Sequence, residues 1–168
     1  MDSNLKFNAH CINSAGQLIN PRIPFVVMDI RQITPSYFVS PQIDAAEIAE
    51  LKEAGIATII CNRPDSEVTQ DFQAETIRAA AVAANIVFVN LPITHQTLNA
   101  ENVRLHANEI DKSAGPVLAY CASGTRSTII WALGQAERRQ ADDIIVAAQS
   151  AGYDLEYLRA TLNALSKK

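Results

Sequence analysis

Cysteine is scarce in this 168-residue chain. Cys11, Cys61 and Cys121 are three in number and widely separated, so no paired disulfide framework, CxxC ligand pair or zinc pattern can be drawn from them. A reducing, cytoplasmic setting follows. Lys/Arg runs are also missing, and 14 basic against 18 acidic residues leave a formal charge of −4, which argues against a nucleic-acid surface or an anionic membrane as the main partner. Long apolar runs are absent: the longest, such as 25–28 and 56–61, are strand-sized, so no transmembrane span is expected. The opening residues 1–20 carry Asp2 and Lys6 and lack an apolar stretch of signal-peptide length. The three histidines form no HxHxD cluster, so neither a metal centre nor a metallo-hydrolase partner domain is expected, and no cofactor is implied.

With 48% hydrophobic residues, a chain of this length can bury one proper core, since a domain of about 150 residues hides roughly 70% of its unfolded surface. Residues 1–27 read as a partly loose N-terminal arm ending in Pro21 and Pro24, and 28–168 as a single domain. Met28 opens the patterned region and is a candidate natural start, with the arm as an upstream extension.

From there strand-like and helix-like segments alternate, the signature of an α/β layer structure. Asp44 and Glu47 form a capping-box start for a helix carrying Ile48 and Leu51, stopped by Gly55. The apolar run 56–61 predicts a strand covered on both faces, ended by Asn62-Arg63-Pro64-Asp65. A helix over about 71–84 and a second buried strand over 86–91, closed by Pro92, come next. A helix over 100–112 puts Val103, Ala107 and Ile110 on one face, with His106 turned to the same side as packing. The strand 117–120 ends at Cys121. Three C-terminal helices are expected at about 127–138, 142–151 and 154–165, the last with Leu155, Leu158, Leu162 and Leu165 aligned, and Trp131 in the core.

The chemistry-bearing segment is Cys121-Ala122-Ser123-Gly124-Thr125-Arg126-Ser127, between a buried strand and a helix. A cysteine attacks as the thiolate, and a free thiol, with a pKa of about 8.5, stays protonated at neutral pH unless a helix N-terminus or a cation lowers it. Small residues at 122–125 let successive N–H groups turn toward one centre, an anion nest opening onto a helix dipole. Gly124 permits the tight turn. Arg126 offers a planar fork for two anion oxygens, and the Ser127 hydroxyl is placed to donate to the sulfur. Cys61, in mid-strand, reads as an inert small hydrophobe.

Four segments together resemble the phosphatase-like domain of the beta-lactamase-hydrolase-like (Blh) proteins, a family also described as a sulfur transferase. They are Asp29-Ile30-Arg31-Gln32 with Val39-Ser40-Pro41-Gln42-Ile43, then Asn62-Arg63-Pro64-Asp65-Ser66-Glu67, then Leu91-Pro92-Ile93, and finally 115–127 with Trp131. The resemblance covers about 29–164. It implies a protein-tyrosine-phosphatase-like fold of the dual-specificity type: a central, mainly parallel sheet flanked by helices. It also implies Cys121 as nucleophile, Arg126 as anion clamp, and Arg63 and Asp65 lining the neighbouring loop. Ala122 departs from the Arg common at that position in the family, which removes a cation. Cys11 after His10 imitates a phosphatase His-Cys pair but sits in the arm and lacks the loop that should follow.

Two reactions use such a loop. Phosphatases of this fold have five residues between Cys and Arg; here four intervene, as in rhodanese-type sulfurtransferases. The stretch Pro92-Ile93-Thr94-His95-Gln96, where those phosphatases carry an Asp general acid, has no carboxylate. His95 is the reserve proton donor, otherwise an exposed imidazole. Asp65 and Glu67 are further carboxylates, Asp65 reading as an ion-pair or turn residue beside Arg63. The favoured expectation is a sulfurtransferase carrying sulfane sulfur as a persulfide on Cys121, with thiosulfate or a persulfide as donor and a thiol acceptor or persulfide-oxidising partner protein. The runner-up is a phosphomonoester phosphatase working through a phosphocysteine, with His95 or Asp65 as acid. The third reading is an anion-binding or redox-sensing module.

Overall fold

The computed structural model describes residues 28–166; the N-terminal arm, with His10 and Cys11, lies outside them. The order along the chain is β1 (Arg31–Thr34), β2 (Tyr37–Ser40), α1 (Ile48–Glu53), β3 (Thr58–Cys61), α2 (Ala74–Ala83), β4 (Val87–Asn90), α3 (Ala100–Lys112), β5 (Val117–Tyr120), α4 (Thr125–Gln135), α5 (Ala141–Ser150) and α6 (Arg159–Leu165). Short 3₁₀ turns precede α1, α2 and α6. The strands form one sheet, β1-β2-β5-β3-β4, parallel except for the antiparallel β1–β2 pair.

Alternation within the strands builds two cores. Phe38, Ile59, Cys61, Leu118 and Tyr120 pack toward α1 and α2, while Tyr37, Val39, Ile60, Val117 and Ala119 pack with Trp131 and the C-terminal helices. Both faces of β2, β3 and β5 are therefore covered, as their apolar runs require. The expected capping box is present: Asp44 accepts from Ala46 N–H, and Glu47 accepts from Asp44 N–H at 2.7 Å.

Three elements differ from expectation. The β1–β2 hairpin has no counterpart in the sequence reading. The strand over 86–91 is real but is not buried, because β4 is the edge of the sheet and Val87 is 60% exposed. The expected helix over 154–165 is split, with a 3₁₀ turn at Glu156–Leu158 before α6. Among the described residues no helix is long and apolar enough to cross a membrane.

Candidate active site

Strands β3 and β5 run parallel in the middle of the sheet, and the chain leaves β5 at Cys121, beside the exit from β3. An antiparallel bridge between Pro41 and Ser123 fastens the start of the loop to the end of β2. The turn closes at Gly124 in the left-handed region (φ +84°), and α4 begins at once without a side-chain cap. Its first amides are thus unpaired within the helix and free to face the sulfur.

Cys121 is fully buried, yet its thiol lies below the ordinary range. Burial alone would raise it, but hydrogen bonds from the backbone amides of Ser127, Ser123, Arg126 and Gly124 favour the charged form and outweigh the desolvation. The Gly124 N–H lies 3.2 Å from Sγ. The Ser127 hydroxyl does not donate to the sulfur as expected: it is buried without a hydrogen-bond partner, and its residue acts through the main chain. As the third residue of α4, Ser127 turns its amide toward the helix N-terminus.

The Arg126 fork is engaged. Its Nη1 and Nη2 donate to the two Glu67 carboxylate oxygens at 2.8 and 2.6 Å, and Nη1 also donates to the Ile93 carbonyl at 2.9 Å. This bidentate pairing raises the guanidinium and lowers the Glu67 carboxyl. Arg63 approaches the same carboxylate, with Nε 3.5 Å from Glu67 Oε2, and donates to the Gln42 side chain. Glu67 therefore sits between the cation after β3 and the cation after β5, a role the sequence reading missed because the partners are 59 residues apart. Asp65 forms no ion pair with Arg63; its carboxylate accepts from Ala74 N–H at 2.7 Å at the start of α2, the turn-forming alternative. Ala122, Ser123 and Thr125 are exposed on the rim, where the Ser123 and Thr125 hydroxyls meet at 3.0 Å. His95 is exposed in the loop after β4, which the Ile93–Arg126 contact ties to the site.

Behind the loop lies a buried polar cluster. Tyr37 Oη donates to the Ser127 carbonyl at 2.9 Å and lies 3.4 Å from His106 Nε2, while its ring stacks on Trp131. His106 is fully buried, and burial pushes its imidazole down to about 3, so it stays neutral. Both His106 and Trp131 are packing residues, as expected. Cys61 also matches expectation: burial raises its thiol, which donates to the Arg63 carbonyl at 3.3 Å.

A thiol at the end of a central parallel strand, an amide-lined turn and an arginine in the first turn of the following helix define a tyrosine-phosphatase-like domain. Solved structures carry the same fold. A candidate phosphatase from Neisseria meningitidis Z2491 superposes with a TM-score of 0.72 at 34% identity, covering 82% of this chain and 99% of that one. TpbA of P. aeruginosa, in complex with pTyr, has a TM-score of 0.51 at 17% identity over 80% of this chain and 90% of its own, a likeness of fold. The family model of the beta-lactamase hydrolase-like protein, phosphatase-like domain, matches residues 29–138, and the chain belongs to that family. A beta-lactamase hydrolase-like protein of Agrobacterium fabrum is 30% identical over 112 residues, 66% of this chain. The chain spans only 26% of that relative's length.

Proposed function

We propose that the domain is a cysteine-dependent phosphomonoesterase. The observation that carries this reading is the Cys121 sulfur at the mouth of α4, with the Gly124 amide 3.2 Å away and Arg126 in the first turn of that helix, in a chain of the phosphatase-like family. Cys121 Sγ attacks phosphorus, the S–P bond forms as the P–O bond breaks, and the leaving oxygen takes a proton from His95 or solvent. Water then displaces the thiolate and releases inorganic phosphate. Loop amides and Arg126 neutralise the charge of the transferring group. Asp65 is less suited to the acid role, since its carboxylate caps α2. An aryl phosphate, the class of the pTyr bound by the phosphatase of like fold, is the proposed substrate.

The phosphatase reading thus has more support than the sulfurtransferase expected from the sequence. One observation still favours sulfane transfer as a second reading: the loop has four residues between Cys121 and Arg126, the rhodanese-like spacing. Both reactions are tested together by incubating the protein with an aryl phosphate and, separately, with thiosulfate or glutathione persulfide, then measuring turnover and intact mass. The phosphatase reading predicts aryl phosphate turnover that Cys121→Ser abolishes. Gain of one sulfur atom on Cys121 without phosphate release would instead favour the transferase, and reversible peroxide oxidation with neither reaction would leave a sensor.

A further inference from the structure

The motif Asp29-Ile30-Arg31 is not in the reaction described above, yet it lies close behind the loop. Arg31 donates to both Asp29 oxygens, Nε to Oδ1 at 2.9 Å and Nη2 to Oδ2 at 3.0 Å. Its guanidinium carbon lies 5.2 Å from the centroid of the Tyr153 ring. Gly152, with φ +88°, makes room for it, since a β-carbon there would lie 2.9 Å from Arg31 Nη1. Tyr153 itself is nearly buried, and its Oη donates to the Ser123 carbonyl at 3.0 Å.

That carbonyl belongs to the Ser123–Gly124 peptide. Because a peptide is planar and trans, its C=O and N–H point in opposite directions. The C=O end is held by Tyr153, and the N–H end lies 3.2 Å from Cys121 Sγ. A hydrogen bond to the carbonyl also polarises the amide and strengthens its N–H as a donor. Tyr153 further fills the space in which residue 124 would carry a side chain: a β-carbon on Gly124 would lie 2.0 Å from the Tyr153 oxygen. Tyr37 differs, because the peptide it holds begins at Ser127, and the N–H of that peptide donates to the Gly124 carbonyl rather than to the sulfur.

We propose that Tyr153 is a positioning residue for Cys121, holding the Ser123–Gly124 peptide with its N–H on the sulfur, and that Asp29 and Arg31 brace the tyrosine from behind. This rests on Cys121 being the nucleophile but not on which anion it attacks. Burial raises the Tyr153 hydroxyl and Arg31 opposes that rise only in part, so it keeps its proton at neutral pH and remains a donor. The other titratable groups that act on or around the sulfur are Arg126 with its partner Glu67, Tyr37 and Cys61. None of these touches the Ser123 carbonyl in the hydrogen bonds of the loop.

The test reads the sulfur directly, through the pH dependence of Cys121 alkylation by iodoacetamide, followed by peptide mass analysis. Tyr153→Phe keeps the ring and removes the hydroxyl. It is expected to move the thiolate midpoint up by about half a unit to one unit, with kcat falling and KM little changed. Arg31→Met, which leaves the hydroxyl in place, is expected to move it the same way by about a few tenths of a unit, and it carries the test if the Phe variant does not fold. An unchanged midpoint in a folded Tyr153→Phe protein overturns the proposal, as does lost turnover without a shift. If the wild type turns over no phosphate ester but the midpoint still shifts, the positioning role stands and the phosphatase reading fails. If turnover is present and the midpoint does not move, the reverse holds.

Discussion

Cys61 and Cys121 stand at the ends of two neighbouring parallel strands, β3 and β5, and both are buried, yet their thiols move in opposite directions. Burial is the largest influence on each and raises both. What separates them is the next few residues. After Cys61 the chain runs through Asn62, Arg63 and Pro64; the thiol donates to the Arg63 carbonyl, and the hydrogen bonds that favour its charged form, from Tyr120 and the Arg63 backbone, do not outweigh burial. After Cys121 the chain turns at Gly124 into α4, and the groups facing the sulfur are N–H donors. At similar depth, the four amides that favour the Cys121 thiolate outweigh burial and the fewer hydrogen bonds at Cys61 do not.

The hardest test of that contrast is replacement of each sulfur. Cys121→Ser is expected to lower turnover about a thousandfold or more, because an unactivated hydroxyl is a poor nucleophile in a loop shaped for a thiolate. Cys61→Ser should leave turnover within about twofold, since that side chain faces the α1/α2 core, and comparable losses from both would break the comparison.

Gly124→Ala attacks the turn that creates the difference. With φ +84° and a β-carbon 2.0 Å from the Tyr153 oxygen, the loop cannot keep its course. A loss of about 2–4 kcal/mol of stability is expected in urea denaturation, together with an alkylation rate of Cys121 nearer that of Cys61. A variant of wild-type stability and reactivity would show that the turn is not what activates the sulfur.

Glu67→Gln gives a smaller effect, because it leaves the amides alone and loosens only the cation. Both Arg126 and Arg63 face that carboxylate, so kcat/KM is expected to fall by about tenfold while the fold is retained. A steady-state comparison on an aryl phosphate decides it; a rate equal to wild type would mean that Arg126 is held well enough by the Ile93 carbonyl.

These residues also mark how far the sequence could be read. The capping box at Asp44, the helix over Ala100–Lys112 and the strand over Val117–Tyr120 were legible because local chemistry and periodicity specify them. The turn at Gly124 was legible for the same reason. The β1–β2 hairpin was not: β1, Arg31-Gln32-Ile33-Thr34, is mostly polar and pairs on one side only, so no apolar run marks it. An apolar run such as 86–91 does not reveal whether a neighbour covers it, so β4 read as buried although it is the edge. In the site, Cys121 and Arg126 were visible as a motif. Glu67 and Tyr153 became visible as partners only in three dimensions, because 59 and 30 residues separate them from the groups they hold. The hydroxyl of Ser127 was the natural guess for a sulfur partner, but at a helix start the main-chain donors already face the site.

Backbone amides thus overcome burial at one cysteine and not at its neighbour. Alkylation of the folded wild-type protein across a pH series, with the Cys61 and Cys121 peptides quantified separately by mass spectrometry, checks this difference. The Cys121 midpoint is expected below that of an ordinary thiol, with Cys61 modified only at higher pH or after unfolding. Equal midpoints, or a Cys121 that titrates above Cys61, would contradict it.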